Sequence, residues 1–151
     1  MAKTYTFCGQ HKMNIDNRHI GKVPAITKKY GGATFVGLLD LYPNAAAAYS
    51  LRLLRTAYAG SPAVKIRRSG DNAEYDFGFT VSGDFDTASA EAFCVAGGGT
   101  KSGFIVTKYD QSGNGRDETQ SNGTKQQQII LNGSVYTENG KPCINTSNTQ
   151  Y

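Results

Sequence analysis

The stretch AVKIRRSGDNAEYDFGFTV, residues 63–81, contains two runs in which apolar and polar residues alternate. Val64 and Ile66 alternate with basic residues in the first run, and aromatic residues occupy every second position of the second. A period of two residues is typical of a strand with one buried face. The Ser-Gly-Asp-Asn sequence between the runs predicts a turn. We therefore expect two antiparallel strands here.

The same features continue toward the C-terminus. SGFIVTKYD (102–110), QQIILNG (127–133) and SVYTE (134–138) each predict a short strand, and Asn139–Gly140 is a strong hairpin signal. The total is seven or eight short strands separated by turns. This pattern predicts a mainly β protein, an antiparallel β-sandwich with helical insertions.

Two helices are predicted within this β framework. The first spans about residues 44–59, with Asn44 as its N-cap. Its apolar stripe recurs at helical spacing, and consists of Ala47, Leu51, Leu54 and Tyr58. The second is short, spans about residues 87–94, and is capped by Asp86.

Residues 1–37 differ from the rest of the chain. They are polar, are interrupted by Pro24 and by Gly31–Gly32, and contain few core residues. We expect an extended N-terminal arm that becomes ordered against a partner, followed by a sandwich module at residues 38–151.

The length, charge and cysteine content of the chain reduce the number of functional classes to consider. The chain has 151 residues, enough for one domain, and a net charge of +4 that is spread along it. A nucleic-acid binder concentrates its basic residues on one face, so no nucleic-acid partner is expected. No secretory signal and no membrane-spanning stretch are recognisable. The three cysteines have no metal-type spacing, and a Cys94–Cys143 disulfide stays open.

The loop YDQSGNGRDETQ, residues 109–120, is the main candidate site. One interpretation is a tight turn in which Asp110 and Asn114 accept neighbouring amides. The other makes Asp110 a metal ligand or an acid/base group beside Asp117 and Glu118. A calcium loop would need a glutamate where Ser121 stands, so we expect no metal.

Other catalytic arrangements are weak. The carboxyl pairs Glu74 with Asp76 and Asp84 with Asp86 are i, i+2 neighbours, which are typical of a solvated surface. No nucleophile elbow, phosphate-binding loop or two-histidine metal motif occurs. We therefore predict no catalytic residue and no cofactor.

Four segments in order resemble a known family. They are LLDLYPNAAAAYSLRLLRTAYAGSPAVKIRRSGDNAEYDFGF (38–79), FDTASAEAFC (85–94), the 109–120 loop and NGKPCI (139–144). Together they resemble the start of the catalytic domain of the fungal B-type α-L-arabinofuranosidases, a concanavalin A-like (LamG-like jelly-roll) sandwich. They are also similar to the version of this module in tailed-bacteriophage virion proteins. The signature residues are Arg67, Arg68, Asp71, Tyr109, Asp110, Gly113 and Gly115.

The resemblance has two departures. The fungal enzymes pair the cysteine that matches Cys94 with a nearby one that is missing here. Their nucleophile and acid lie downstream of the matched region, so no catalytic role carries over to this chain, whose sandwich we expect to be half built at Tyr151.

These observations lead to a prediction and two alternatives. We predict a non-enzymatic bacteriophage virion structural protein, in the tail, fibre or head decoration, made in the host cytoplasm. It would dock on other virion proteins through residues 1–37, form a homo-oligomer, preferably a trimer, and display a surface for a cell-surface glycan. The ligand-binding residues would be Asp110, Gln111, Asn114 and Asp117. One alternative is an arabinofuranosidase-like glycoside hydrolase whose catalytic half lies beyond residue 151, and the other is a free carbohydrate-binding module.

Overall fold

The fold is mainly β, as the sequence predicts. The structure, a computed structural model, describes residues 35–96 and 98–146. Within these ranges one curled antiparallel sheet of six strands is accompanied by a separate two-stranded hairpin and two α-helices. The N-terminal arm predicted at residues 1–37 lies outside the described residues, apart from 35–37. Among the described residues, no helix has the length and apolar character needed to cross a bilayer.

The stretch at residues 63–81 forms the predicted strand pair. Strand β1 (Val64–Arg68) runs antiparallel to β2 (Glu74–Phe77), with Val64 opposite Phe77. The turn between them places Gly70 and Asn72 at φ values of 98° and 56°. Glycine and asparagine tolerate this left-handed backbone, which explains why the turn forms at this position.

Strand β3 (Gly103–Lys108) is central in the sheet. One edge pairs with β1, and the other pairs with β4 (Glu118–Thr119) near its end and with β5 (Gln128–Leu131) near its start. Strand β6 (Ser134–Val135) then pairs with β5. Strands β4 and β5 therefore share one edge of β3.

The core lies where β1, β3 and β5 meet. Ile66 and Ile130 are fully buried, and a side chain on Gly103 would meet Ile66 Cγ2 at 2.9 Å and Cys94 Sγ at 3.2 Å. Burial of each large aliphatic side chain contributes about 1.5–3 kcal/mol. The close approach at Gly103 requires glycine, because the strands and the helix pack directly over it.

Helix α2 (Thr87–Val95) confirms the short helix predicted at about 87–94. The Ser89 N–H donates to Asp86 Oδ1 at 3.1 Å, which is the predicted N-cap. Ala90 and Cys94 face the core. The helix is tied to the sheet edge because the Val135 N–H donates to Glu91 Oε1 at 2.8 Å.

The helix predicted at about 44–59 is wrong. Helix α1 has only four residues (Leu38–Leu41), a 3₁₀ turn covers Thr56–Tyr58, and the chain between them contains no α-helix. Asn44 has a φ of 82°, unlike a helix N-cap. Backbone groups that an α-helix would pair internally are instead bonded to side chains of the 109–120 loop, and such tertiary contacts override the helix propensity of alanine and leucine.

The hairpin at the C-terminal end is confirmed. Strands β7 (Thr137–Glu138) and β8 (Lys141–Pro142) pair antiparallel. Asn139 and Gly140 both have positive φ, at 50° and 72°, as a type I′ turn requires. Cys94 and Cys143 are both free thiols, which answers the open question of a disulfide between them.

Candidate functional site

Asp110 is the centre of a loop that binds a distant part of the chain. We call residues 109–117 the latch loop and residues 45–54 the bound segment. The Ala48 N–H donates to Asp110 Oδ1 at 2.8 Å across 62 residues of sequence. Ser112 donates to the same carboxylate from its N–H, at 2.8 Å, and from its hydroxyl, at 2.7 Å, and the Arg116 N–H donates at 3.1 Å. The carboxylate thus accepts four hydrogen bonds.

The environment of Asp110 keeps it ionised. The residue is only 4% exposed, and burial alone would raise its pKa. The hydrogen bonds from Ser112, Ala48 and Arg116 outweigh burial and hold the pKa of the carboxyl well below its ordinary value. A general acid needs a raised pKa, so Asp110 has the opposite electrostatic character.

Gln111 provides the second attachment. Its side chain is fully buried, with Oε1 accepting from the Leu54 N–H at 2.7 Å. Its Nε2 donates to the carbonyl oxygens of Ser50 and Arg52, both at 3.1 Å. One amide side chain therefore replaces three bonds that backbone partners would make in a helix or a sheet.

Asn114 makes the third attachment, at the surface. Its Nδ2 donates to the carbonyl oxygens of Ala45 and Ala46 at 2.9 and 3.0 Å. Gly113 and Gly115 flank it with φ values of 98° and 65°, where side chains are strained. The glycines let the loop curve around the bound segment.

Asp117 closes the latch loop on itself. Its Oδ1 accepts from the Asp110 N–H at 2.8 Å. Three of the four predicted ligand-binding residues thus contact the bound segment, and Asp117 contacts the loop. Their binding of a ligand stays a prediction, and the contacts described here give all four a role in holding the chain.

Two tyrosines lie beside the latch loop. The Tyr109 hydroxyl donates to Asp76 Oδ1 at 2.7 Å, and the Tyr49 hydroxyl donates to the Arg116 carbonyl oxygen. Burial, and then the nearby carboxylates, raise the pKa of both phenols. Both therefore stay protonated hydrogen-bond donors at neutral pH.

The remaining signature residues support the sheet. Arg68 bonds both oxygens of Asp71, at 3.1 and 2.6 Å, and lies 4.5 Å above the Phe93 ring. Its hydrogen bond lowers the pKa of Asp71 to about 2. Arg67 donates from Nε to Gln126 Oε1 at 2.7 Å and lies over the Phe104 ring. These pairs tie the β1–β2 turn to helix α2 and to the segment before β5.

Two of the clefts on the described surface lie beside the elements described above. The larger, about 460 Å³, lies beside β3 and β4 and is lined by Ile105, Val106, Lys108, Glu118, Thr119, Gln120, Lys125 and Gln127. The smaller, about 350 Å³, lies between the bound segment and the β7–β8 hairpin and includes Arg52, Asp84 and Phe85. Within residues 35–96 and 98–146, no group of three or more His, Cys, Asp or Glu side chains could hold a metal ion.

The comparison with known families identifies the chain. Residues 40–141 match the family model described as the catalytic domain of alpha-L-arabinofuranosidase B. The chain belongs to this family. The matched range runs from α1 to β8 and contains the sheet, α2, the bound segment and the latch loop. No curated protein and no solved structure matches the chain.

Membership in the arabinofuranosidase B family corrects one expectation. The prediction of a non-enzymatic protein is wrong, because the matched model describes a catalytic domain. The resemblance to this family is confirmed, whereas nothing in the comparisons supports the bacteriophage virion version of the module. The predicted arm docking, trimer, glycan partner and virion location stay predictions.

Sequence reasoning missed several residues that shape this region. Asp40 accepts from the Gly37 N–H at 2.8 Å and from the Thr56 N–H at 3.0 Å. These bonds connect α1 to the residue before it and to the 3₁₀ turn at Thr56–Tyr58. Tyr49 and the Asp76–Tyr109 pair were also missed. Their partners are far apart in sequence, and no local spacing signals them.

Proposed function

We propose that this chain contributes to a glycoside hydrolase domain that acts on α-L-arabinofuranosides. The observation that carries the proposal is the match of residues 40–141 to the arabinofuranosidase B catalytic domain. The mainly β fold is consistent with it, and so is the latch loop, which carries family-signature residues in ordered positions.

The electrostatics limit which residues can perform the reaction. Glycoside hydrolysis uses two carboxyl groups, one of which must hold a proton for the leaving oxygen. The pKa values of Asp40, Asp71 and Asp110 are all lowered, by hydrogen bonds that stabilise the charged form. None of these three carboxyls therefore has the raised pKa that a general acid needs. We assign the latch loop to the scaffold of the domain.

Hydrolysis of an aryl glycoside by the full-length natural protein tests the proposal. The substrate is 4-nitrophenyl α-L-arabinofuranoside, and the β-D-xylopyranoside and β-D-galactopyranoside analogues are the controls. We expect nitrophenol release from the arabinofuranoside alone. No release from it, or faster release from the two pyranosides, would contradict the proposal.

The same protein preparation also distinguishes the virion hypothesis from the glycoside hydrolase hypothesis. A virion component would be recovered in purified phage particles and would leave all three aryl glycosides intact. An arabinofuranosidase would release nitrophenol from the first substrate in the absence of particles.

A further inference from the structure

We propose that Asn114 is a deamidation site protected by the closed latch loop, and that conversion of its amide to a carboxylate releases the bound segment. Four asparagines precede a glycine in the sequence: Asn114, Asn122, Asn132 and Asn139. Glycine has no side chain to hinder its own backbone nitrogen, so this nitrogen readily attacks the amide of a preceding asparagine. Of the four, all of which the structure describes, Asn114 is the one whose side chain is bonded to the bound segment.

The reaction needs only these two residues and the solvent. A base in the solvent removes the proton of the Gly115 N–H. The nitrogen then forms a bond to Cγ of Asn114, and the side-chain nitrogen leaves as ammonia. Water opens the resulting succinimide ring to aspartate or isoaspartate. The net change is hydrolysis of an amide to a carboxylate and an ammonium ion, with no oxidation or reduction.

The reacting groups are accessible to solvent. Asn114 and Gly115 are both exposed, and no atom of a non-neighbouring residue lies within 4 Å of the position that a Cβ on Gly115 would occupy. In the part of the chain that the structure describes, no hydrogen bond engages the Gly115 N–H. A solvent base can therefore reach the nitrogen that attacks.

The closed latch loop slows the reaction. Asn114 Nδ2, which is the leaving nitrogen, donates to the carbonyl oxygens of Ala45 and Ala46 at 2.9 and 3.0 Å. The side-chain amide has to turn one face toward the Gly115 nitrogen, and this rotation breaks both bonds. Two such hydrogen bonds lower the population of the free side chain by a factor of about ten. Asn114 therefore reacts mainly when the loop is open.

The product cannot restore the attachment. An ionised carboxylate has no donor, and its oxygens would face the carbonyl oxygens of Ala45 and Ala46. The new negative charge lies in a loop that already contains Asp110 and Asp117. Isoaspartate also adds a methylene group to the backbone, which displaces the Arg116 N–H from its acceptor on Asp110. A reaction that follows an opening of the loop thus removes the surface attachment irreversibly.

Peptide mapping by mass spectrometry tests the site and its protection. The full chain, folded or unfolded in urea, is incubated in mildly alkaline buffer. The matched control is Asn139 in the exposed β7–β8 turn, whose side chain makes no hydrogen bond within the described residues. We expect folding to slow conversion of Asn114 about tenfold and that of Asn139 less. The proposal is overturned if folding slows both sites equally or leaves the rate at Asn114 unchanged. Absence of any conversion at Asn114 in the folded chain, over a period in which Asn139 converts completely, also overturns it.

Two variants test the consequence of the reaction. Asn114→Asp carries the carboxylate of the product, and Asn139→Asp makes the same change of charge on the hairpin. We expect hydrogen exchange at the Ala48 amide to accelerate about tenfold in the first variant, since one attachment is lost, and to stay unchanged in the second. Unchanged exchange at Ala48 in Asn114→Asp contradicts release of the bound segment. Hydrolysis of the aryl arabinofuranoside is measured separately, so either proposal can fail alone.

Discussion

The sheet and the bound segment are held in place by different sets of hydrogen bonds. In β1 and β3, backbone groups pair with backbone groups of neighbouring strands, and the pattern repeats along the strand. The bound segment has a few isolated backbone bonds, such as that from the Leu53 N–H to the Gly83 carbonyl oxygen at 2.8 Å. Its other bonds come from the side chains of Asp110, Gln111 and Asn114, which are 57 to 69 residues away in sequence. A sheet therefore depends on many equivalent bonds, whereas the bound segment depends to a large extent on three side chains.

Asp110→Ala should have the largest effect on stability. It leaves the N–H groups of Ala48, Ser112 and Arg116 without their acceptor. We expect the free energy of unfolding, measured by urea denaturation, to fall by about 4 kcal/mol, since each buried orphan group costs about 1–3 kcal/mol. Glu138→Ala, on the exposed hairpin, is the control and should change it by less than about 0.5 kcal/mol.

The conservative variant Asp110→Asn separates local from global effects. Its remaining oxygen can still accept from Ala48 and Ser112, whereas its NH₂ group replaces the acceptor of the Arg116 N–H. Hydrogen exchange should accelerate at the Arg116 amide while the Ile66 amide in the sheet keeps its protection. Equal acceleration at both amides would show that the latch loop and the sheet open as one unit, contrary to the distinction drawn here.

Gly103→Ala should damage the sheet and spare the bound segment. The new methyl group would lie 2.9 Å from Ile66 Cγ2 and 3.1 Å from Ile130 Cβ. We expect a loss of about 2 kcal/mol in the free energy of unfolding, as is usual for overpacked cores. Gly60→Ala is the matched control, because nothing lies within 4 Å of the added group. A Gly103→Ala protein as stable as the native one would contradict the packing described for the core.

Acid should weaken the β1–β2 turn through Asp71, with a smaller effect. Its pKa is about 2 in the folded chain and about 3.9 in an unfolded one. A lowered pKa contributes stability above the unfolded value, and this contribution is lost as the pH falls from about 4 to about 2. The stability difference between the native protein and Asp71→Asn should therefore shrink over this range in thermal scans. A constant difference down to pH 2 would contradict the Arg68–Asp71 pair.

Ala47→Gly should have the smallest effect. In a helix the substitution would cost about 1 kcal/mol. Ala47 is exposed and lies in the bound segment, which is not helical, so we expect a change below about 0.5 kcal/mol in the free energy of unfolding. A loss near the helical value would favour the helix that the sequence predicts.

The elements that could be predicted from the sequence are those whose determinants lie close together along the chain. Val64 and Ile66 predict β1, because the buried side chains of a strand with one buried face recur at every second residue. The type I′ turn at Asn139–Gly140 is equally local. Leu51, Leu54 and Tyr58 have helical spacing, yet the competing partner, Gln111, is not recognisable from their own neighbourhood.

In the candidate site, too, local features could be predicted from the sequence and distant partners could not. Asp110, Gln111 and Asn114 could be identified as an unusual polar group from the sequence alone. Their partners on the bound segment could not, because only the folded chain brings residues 45–54 to them. The larger cleft has no sequence motif, since its lining comes from two strands, β3 and β4, and from the connection between β4 and β5.

The Cα chemical shifts of residues 45–54 test most directly whether the bound segment is non-helical, as its hydrogen bonds to the latch loop require. NMR of the isotopically labelled native chain gives them residue by residue. We predict no continuous run of helical shifts in this range. A continuous run of helical shifts from Ala45 to Leu54 would contradict the hydrogen bonds from Asp110 and Gln111.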